Sequence, residues 1–183
     1  MTQQTTVRTE AQEFMALVNQ RSVLYGYGFL NHVEYLETCK RKNVVYGPKR
    51  EANRKPNVLP FPFLPPGVQE SNIGPAVSIF GHVQEKVDRL ELKTVAEVLA
   101  YVRGLVDETG KVPDLELGER TWRGWSYFVR PLEPTHPNLV SSYMELDAGT
   151  RDYDLTLNGK AATYLGDLAE AWVAKKKADD EYK

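Results

Sequence analysis

The chain has 183 residues, of which 42% are hydrophobic and 26% are charged, and its formal net charge is −2. These values are typical of a globular protein that folds without disulfides or metals, and they exclude a disordered chain and a generic coat for nucleic acid. A single cysteine, no secretory signal in residues 1–6 and no stretch apolar enough to span a bilayer predict a cytoplasmic protein without membrane contact.

Two helices are predicted in the N-terminal segment, residues 1–42. Thr9, followed three residues later by Gln12, has the spacing of a capping box, and apolar residues recur at helical intervals after it. We therefore expect a helix over about 10–20. A second helix should follow and end in basic residues, with an apolar side formed by Phe29, Leu30, Val33 and Leu36.

The window from Lys40 to Lys55 is strongly basic. It has seven basic residues and one acidic residue, a charge of +6, which leaves −8 on the remainder of the chain. Such asymmetry favours a surface that binds an acidic partner or a second copy of the chain. The basic residues of this window are Lys40, Arg41, Lys42, Lys49, Arg50, Arg54 and Lys55.

Residues 43–75 form a basic and proline-rich arm. Seven prolines and three glycines predict that this segment contains neither a helix nor a central strand. Its middle carries Phe61 and Phe63 and is too apolar for a solvated linker. We expect it to lie extended across a surface, either of this chain or of another subunit.

The remainder, residues 76–183, is predicted to be an α+β core. Alternating apolar residues indicate a strand over Val77–Val87, and an aromatic-rich stretch indicates another over Arg120–Arg130. A capping box at Thr94 and Glu97 predicts that a helix lies between these two strands, and a further helix is expected at the end of the chain. The expected fold is a mainly antiparallel sheet of about four strands packed by these two helices, with the N-terminal helices and the arm at one edge.

Residues 142–157 are predicted to form a β-hairpin with residues 148–151 as its loop. In this register one face is apolar, and on the other Glu145 lies opposite Asp154 and Asp147 lies opposite Asp152. Because like charges on paired strands destabilise a sheet by about a few tenths of a kcal/mol, a cation is expected nearby.

Three sources could supply that cation. Arg120, Arg123 or Arg130 of the aromatic strand could lie alongside the carboxylates, a basic partner protein could bind them, or a metal such as Mg²⁺, Mn²⁺ or Ca²⁺ could sit between them. Alternatively, solvent alone could screen an exposed acidic face. The metal alternative leads to a metal-dependent hydrolase at the hairpin. A separate alternative is a nucleic-acid-binding protein that uses the basic window with Tyr46, Trp122, Arg123 and Trp125.

The sequence has no catalytic signature, so we expect no catalytic residue, resident metal or cofactor. The preferred hypothesis is a non-enzymatic interaction or assembly protein, such as an accessory or structural protein of a virus. Its basic window would dock on the carboxylates of a neighbour, and Phe61 and Phe63 would bury apolar surface there. If the neighbour is a second copy, the contact is head-to-tail. The carboxylates are Glu145, Asp147, Asp152 and Asp154.

Overall fold

The computed structural model describes residues 7–47, 54–55 and 57–181, and helices dominate this part of the chain. The α-helices are α1 (Glu10–Val18), α2 (Arg21–Arg41), α3 (Pro66–Asp88), α4 (Val95–Leu105), α5 (Leu115–Val129) and α6 (Ala148–Glu181). Short 3₁₀ helices lie at Phe61–Phe63 and Tyr143–Glu145. The strands β1 (Val45–Tyr46) and β2 (Arg54–Lys55) pair in parallel over two residues each. The predicted α+β fold with an antiparallel sheet is therefore wrong.

The core lies between the two longest helices and their neighbours. Helix α3 packs against α1, α2, α5 and α6, and α6 packs in addition against α4. Large apolar side chains without solvent exposure, such as Phe80 on α3 and Leu165 on α6, fill the centre. A smaller apolar cluster of Trp122, Tyr143 and Leu146 lies beside this core, where α5 meets the segment before α6.

Both predicted capping boxes are confirmed. Thr9 Oγ1 accepts from the Gln12 amide at 3.2 Å, and the Thr9 amide donates to Gln12 Oε1 at 3.0 Å. Thr94 and Glu97 repeat this reciprocal arrangement at the start of α4. These side chains satisfy amide groups that the first turn of a helix leaves without backbone partners, which is why such short motifs locate helix starts well.

The strand predicted over Val77–Val87 is wrong, because these residues belong to α3. Ile79, Val83 and Val87 are fully buried at intervals of four residues, whereas Val77 is 50% exposed. Helix α3 also begins at Pro66 and contains Pro75, so the expectation that residues 43–75 hold no helix is wrong for their last part. A proline in the first turn needs no amide donor, and tertiary packing around the buried Pro75 compensates for the bond lost there.

The strand predicted over Arg120–Arg130 is also wrong, because this stretch lies in α5. Asp114 caps the helix, since its Oδ1 accepts from the amides of Glu116 and Leu117 at 2.9 and 3.1 Å. Ion pairs one turn apart add to the helix, with Arg120 bound to Glu116 at 3.0 Å and Arg123 bound to Glu119 at 2.6 Å. These local interactions outweigh the strand preference of the aromatic residues.

The hairpin predicted over residues 142–157 does not form. Ser142 caps the 3₁₀ helix, and Asp147 accepts from the Thr150 amide at 2.9 Å and from its hydroxyl at 2.6 Å at the start of α6. The predicted loop is thus the first turn of a helix, which continues through Gly159. A Cβ at Gly159 would collide with the Gly110 carbonyl, so the close packing of that loop on α6 requires glycine.

Candidate functional site

A cavity of about 200 Å³ lies between α3, α5, α6 and the segment that joins α5 to α6. We call it the Asp154 cavity. Helix α6 contributes residues one turn apart, so that they share one face, and α5 does the same from the opposite side. The lining residues are Ser71, Pro75, Thr121, Trp122, Trp125, His136, Asn138, Thr150, Tyr153, Asp154 and Leu157.

Hydrogen bonds fix the joining segment against α5. The Trp122 indole donates from Nε1 to the Asn138 carbonyl at 2.9 Å, and the Asn138 amide donates to His136 Nδ1 at 3.1 Å. Because Nδ1 is an acceptor here, a neutral His136 ring carries its proton on Nε2. The same ring packs edge-on against Trp125, with their centroids 5.0 Å apart. This wall of the cavity is therefore positioned by specific bonds as well as by apolar packing.

Asp154 is the charged group of the cavity. Its residue is only 8% exposed, and its Oδ2 has no hydrogen-bond partner among the described residues. Burial raises the pKa of Asp154 to about 7, and the nearby Tyr143 hydroxyl counteracts part of that rise. The carboxyl group therefore changes charge near neutral pH, where a small change in its surroundings decides its state.

Asn158 lies one turn after Asp154 on α6 and is completely buried. Its Oδ1 accepts from the Thr121 hydroxyl at 2.6 Å, but its Nδ2 has no partner within the described ranges. Ser126 Oγ on α5 is in the same condition. A buried polar atom without a partner destabilises a fold by about 1–3 kcal/mol, and such atoms in a native structure point to a functional role.

No cation of the described chain neutralises Asp154. The nearest basic neighbour in sequence, Arg151, donates to the carbonyls of Met144 and Leu146. Lys111 pairs at 2.6 Å with the exposed carboxylate of Asp152, which is not one of the residues that line the cavity. The carboxyl of Asp154 is thus buried beside a cavity without the counter-charge that buried carboxylates usually have.

The four carboxylates of the predicted hairpin are not stacked on one face. Glu145 Oε2 accepts from the Ser141 amide at 3.2 Å. Asp147 caps α6, and the hydrogen bonds that its carboxylate accepts from Thr150 hold the pKa of Asp147 below its usual value. Asp152 pairs with Lys111, and Asp154 is buried. Neutral donors of the local structure therefore satisfy Glu145 and Asp147, and one lysine neutralises Asp152.

The basic window has several locations. Lys40 and Arg41 form the last turn of α2, Lys42 follows as its cap, and all three are exposed. Arg54 and Lys55 are the exposed residues of β2. Lys49 and Arg50 lie outside the described residues. In the apolar arm, Phe61 is buried against Tyr25, Phe29 and His32 of α2, whereas Phe63 is 73% exposed.

The residues expected to bind nucleic acid occupy three different environments. Tyr46 is exposed on β1, and Arg123 is exposed on α5 in its pair with Glu119. Trp122 is buried, and Trp125 is half-buried; both line the Asp154 cavity. The two indoles thus face a small cavity, which is a different setting from an open stacking surface for a strand of bases.

The described residues offer neither a metal-binding cluster nor a membrane-spanning helix. Within residues 7–47, 54–55 and 57–181, no three His, Cys, Asp or Glu side chains are grouped so that they could hold a metal ion. No helix in this part of the chain combines the length and the apolar character needed to cross a bilayer.

Comparisons with protein-family models, with curated proteins and with solved structures gave no match.

Sequence reasoning selected Asp154, Trp122 and Trp125 but did not place them together, and it missed Thr121, His136 and Asn158. The signal was present in the helical spacing. Residues 154 and 158 share a helix face with the apolar residues 157, 161 and 165, a pattern that puts two polar groups into a core. The hairpin assignment put residues 154 and 157 on opposite faces and ended before residue 158, and this concealed the helical pattern.

Proposed function

We propose that this protein is a non-enzymatic binding protein and that the Asp154 cavity is its ligand site. One observation carries the proposal: Asp154 is one of the residues that line the cavity, and its Oδ2 is buried without a partner among the described residues. A ligand that forms a hydrogen bond or an ion pair with this carboxyl group offsets the free-energy cost of burying it without a partner. The proposed binding uses the Asp154 carboxyl group and the apolar lining of the cavity, and it involves no chemical reaction.

The form of the cavity supports the proposal. Ligand pockets are concave and mainly apolar, with a few placed polar groups that orient the bound molecule. Here Pro75, Leu157 and the two indoles supply apolar surface, and Asp154 and Thr121 supply polar atoms. An apolar cavity of roughly 150 Å³ holds a benzene molecule in another protein, so about 200 Å³ suits a small organic molecule.

The indole groups provide a direct test with an internal control. The chain has three tryptophans, and two of them, Trp122 and Trp125, line the cavity, whereas Trp172 packs against Phe14 at the other side of the core. In ¹H–¹⁵N spectra of the full chain, we expect members of a fragment library to shift the indole signals of Trp122 and Trp125 and to leave that of Trp172 unchanged.

Two further variants assign such shifts to the cavity. Ser71→Leu places an apolar side chain at the α3 wall and should suppress fragment binding, while Asp152→Asn alters an exposed position on α6 and should not. If no fragment shifts the two indole signals selectively at millimolar concentration, the proposed ligand site is wrong.

A second candidate function is protein–protein interaction, supported by the surface of α2. Three of the four apolar residues that sequence analysis placed on one helix side are exposed, with Leu30 at 54%, and the basic end of α2 lies on the same helix. We call this surface the α2 patch. It suits a partner protein with acidic and apolar surface, as charge complementarity demands. The patch consists of Phe29, Leu30, Val33, Lys40, Arg41 and Lys42.

Sedimentation at two salt concentrations tests this second candidate. Association through the α2 patch, with a second copy or with an acidic protein, should weaken as salt rises and should be lost in Leu30→Glu and in Lys40→Glu. A chain that stays monomeric and binds no acidic protein at low salt would refute it.

For location we propose the cytoplasm, since the one cysteine, Cys39, is a buried free thiol of the kind found in reducing compartments.

A further inference from the structure

We propose that the ligand of the Asp154 cavity is a small organic cation, a primary amine or a quaternary ammonium, whose charge is balanced by the Asp154 carboxylate among the aromatic residues of the lining. This inference rests on the proposed function and adds the ligand class to it. It follows from three properties of the cavity: the negative charge of the Asp154 carboxylate, the aromatic residues in the lining and the volume.

The charge of the cavity defines the first requirement. Asp154 contributes a carboxyl group, and the lining contains no lysine or arginine. Arg151 and Lys111 are committed elsewhere, to carbonyl oxygens and to Asp152. A buried carboxylate is unfavourable without an opposite charge, so a cationic ligand gains the interaction that the chain itself does not supply. An anionic ligand would meet repulsion at the same position.

The walls define the second requirement. Trp122, Trp125 and Tyr153 line the cavity, and His136 packs edge-on against Trp125. The faces of indole and phenol rings carry partial negative charge and attract ammonium groups, most strongly where water is excluded. An aromatic wall combined with one carboxyl group recognises an organic cation, since the rings contact its methylene or methyl groups while the carboxylate balances its charge.

Size and ligand number argue against the alternatives. A divalent metal ion requires several oxygen or nitrogen ligands, and Asp154 is the only carboxylate among the lining residues. An oligonucleotide or a peptide is too large for the cavity. Its volume of about 200 Å³ holds a molecule of roughly ten heavy atoms or fewer. The remaining alternative is a neutral molecule that accepts a hydrogen bond from a protonated Asp154.

A matched pair of probes separates the charged ligand from the neutral one. Choline and 3,3-dimethylbutan-1-ol have the same shape and the same number of heavy atoms, but only choline is charged. Benzylamine and benzyl alcohol form a second pair with a primary amine. Binding of all four to the full chain is measured by calorimetry and by the indole signals of Trp122 and Trp125 at about pH 8, where Asp154 is mostly ionised.

We expect at least one cation to bind about tenfold or more tightly than its neutral partner. Asp154→Asn should remove that preference, and Trp125→Leu should weaken cation binding about fivefold or more. Asp152→Asn is the matched control, because it neutralises an exposed carboxylate on the same helix, outside the cavity lining, and should bind as the unaltered chain does.

The outcomes distinguish this inference from the proposed function. If a neutral probe binds as tightly as its charged partner, or if Asp154→Asn keeps the preference, the cation assignment is wrong and the ligand site stands. If neither these probes nor neutral and anionic fragments shift the two indole signals, both proposals fail. Selective cation binding that requires Asp154 supports both.

Discussion

The Thr121 hydroxyl donates a hydrogen bond of 2.6 Å to Asn158 Oδ1, and this bond joins α5 to α6 inside the protein. Both residues are buried, and the bond fixes the orientation of the Asn158 amide, whose Nδ2 then has no partner among the described residues. Thr121 also lines the Asp154 cavity, so the contact lies at the wall of the cavity, between the two helices that supply most of its lining. It therefore positions the site as well as stabilising the fold.

Removing this bond should destabilise the protein. Thr121→Val keeps the shape of the side chain but leaves both polar atoms of Asn158 unsatisfied, so the free energy of unfolding should fall by about 2 kcal/mol. Thr163→Val on the exposed side of α6 is the matched control and should change it by less than about 0.5 kcal/mol. Urea denaturation of both variants provides the measurement. Equal effects would contradict the role given to Thr121.

The pH dependence of stability should carry the signature of Asp154. Its pKa is about 7 in the folded state and near 3.9 in an unfolded chain, so the folded protein binds more protons between these values. The free energy of unfolding should therefore fall as pH rises through this range, by up to about 1.4 kcal/mol per pH unit. Burial lowers the pKa of His32 and His82, whose contribution has the opposite sign and is lost as pH falls below about 6.5.

Asp154→Asn isolates the first of these effects. The variant has no carboxyl group to ionise, so its stability relative to the unaltered chain should increase between about pH 5 and pH 8. The histidines are common to both proteins and cancel in this difference. Asp152→Asn should run parallel to the unaltered chain. A constant difference for Asp154→Asn across this range would show that Asp154 titrates as an ordinary surface carboxylate.

Helix α5 should depend on its cap. Asp114 satisfies two amides of the first turn, so Asp114→Ala should lower the free energy of unfolding by about 1 kcal/mol, and Asp114→Asn should retain most of the stability. Thermal unfolding followed by circular dichroism measures both. If the alanine variant matched the unaltered chain, the first turn of α5 would have another source of stability.

Two glycines in helices should respond in opposite directions to alanine. Gly159→Ala places a methyl group against the Gly110 carbonyl and should cost about 2–3 kcal/mol or more, since the backbone there must move. Gly104→Ala in α4 meets open space and should increase the free energy of unfolding by about 0.5–1 kcal/mol. Denaturant titration of the pair provides the comparison. A tolerated Gly159→Ala would place the loop at Gly110 farther from α6.

Local signals in the sequence identified some helices and failed for others, for physical reasons. The reciprocal hydrogen bonds at Thr9 and Thr94 involve residues three apart, so the sequence contains the whole interaction. In α3, by contrast, valines spaced by four residues fit a strand and a helix equally well, and the buried Pro75 argued against the true structure. Tertiary packing against α5 and α6 decides that case, and no local pattern encodes it.

The candidate site shows the same division. The sequence identified Asp154 as an acid for which a cation is expected, but the reason was an incorrect strand register. Its actual cause is burial on α6 beside Thr121 and His136, residues that come from other parts of the chain. Contacts between α5, α6 and the joining segment create the cavity, so its position could not be read from any one stretch of sequence.

The most direct test of the account is the titration of the Asp154 carboxyl carbon by ¹³C NMR, with and without choline. We predict a pKa near 7 for the free protein and a marked fall when choline binds, because a cation beside the carboxyl group favours the ionised form. A pKa near the ordinary aspartate value of about 4 that choline does not change would contradict the central claim.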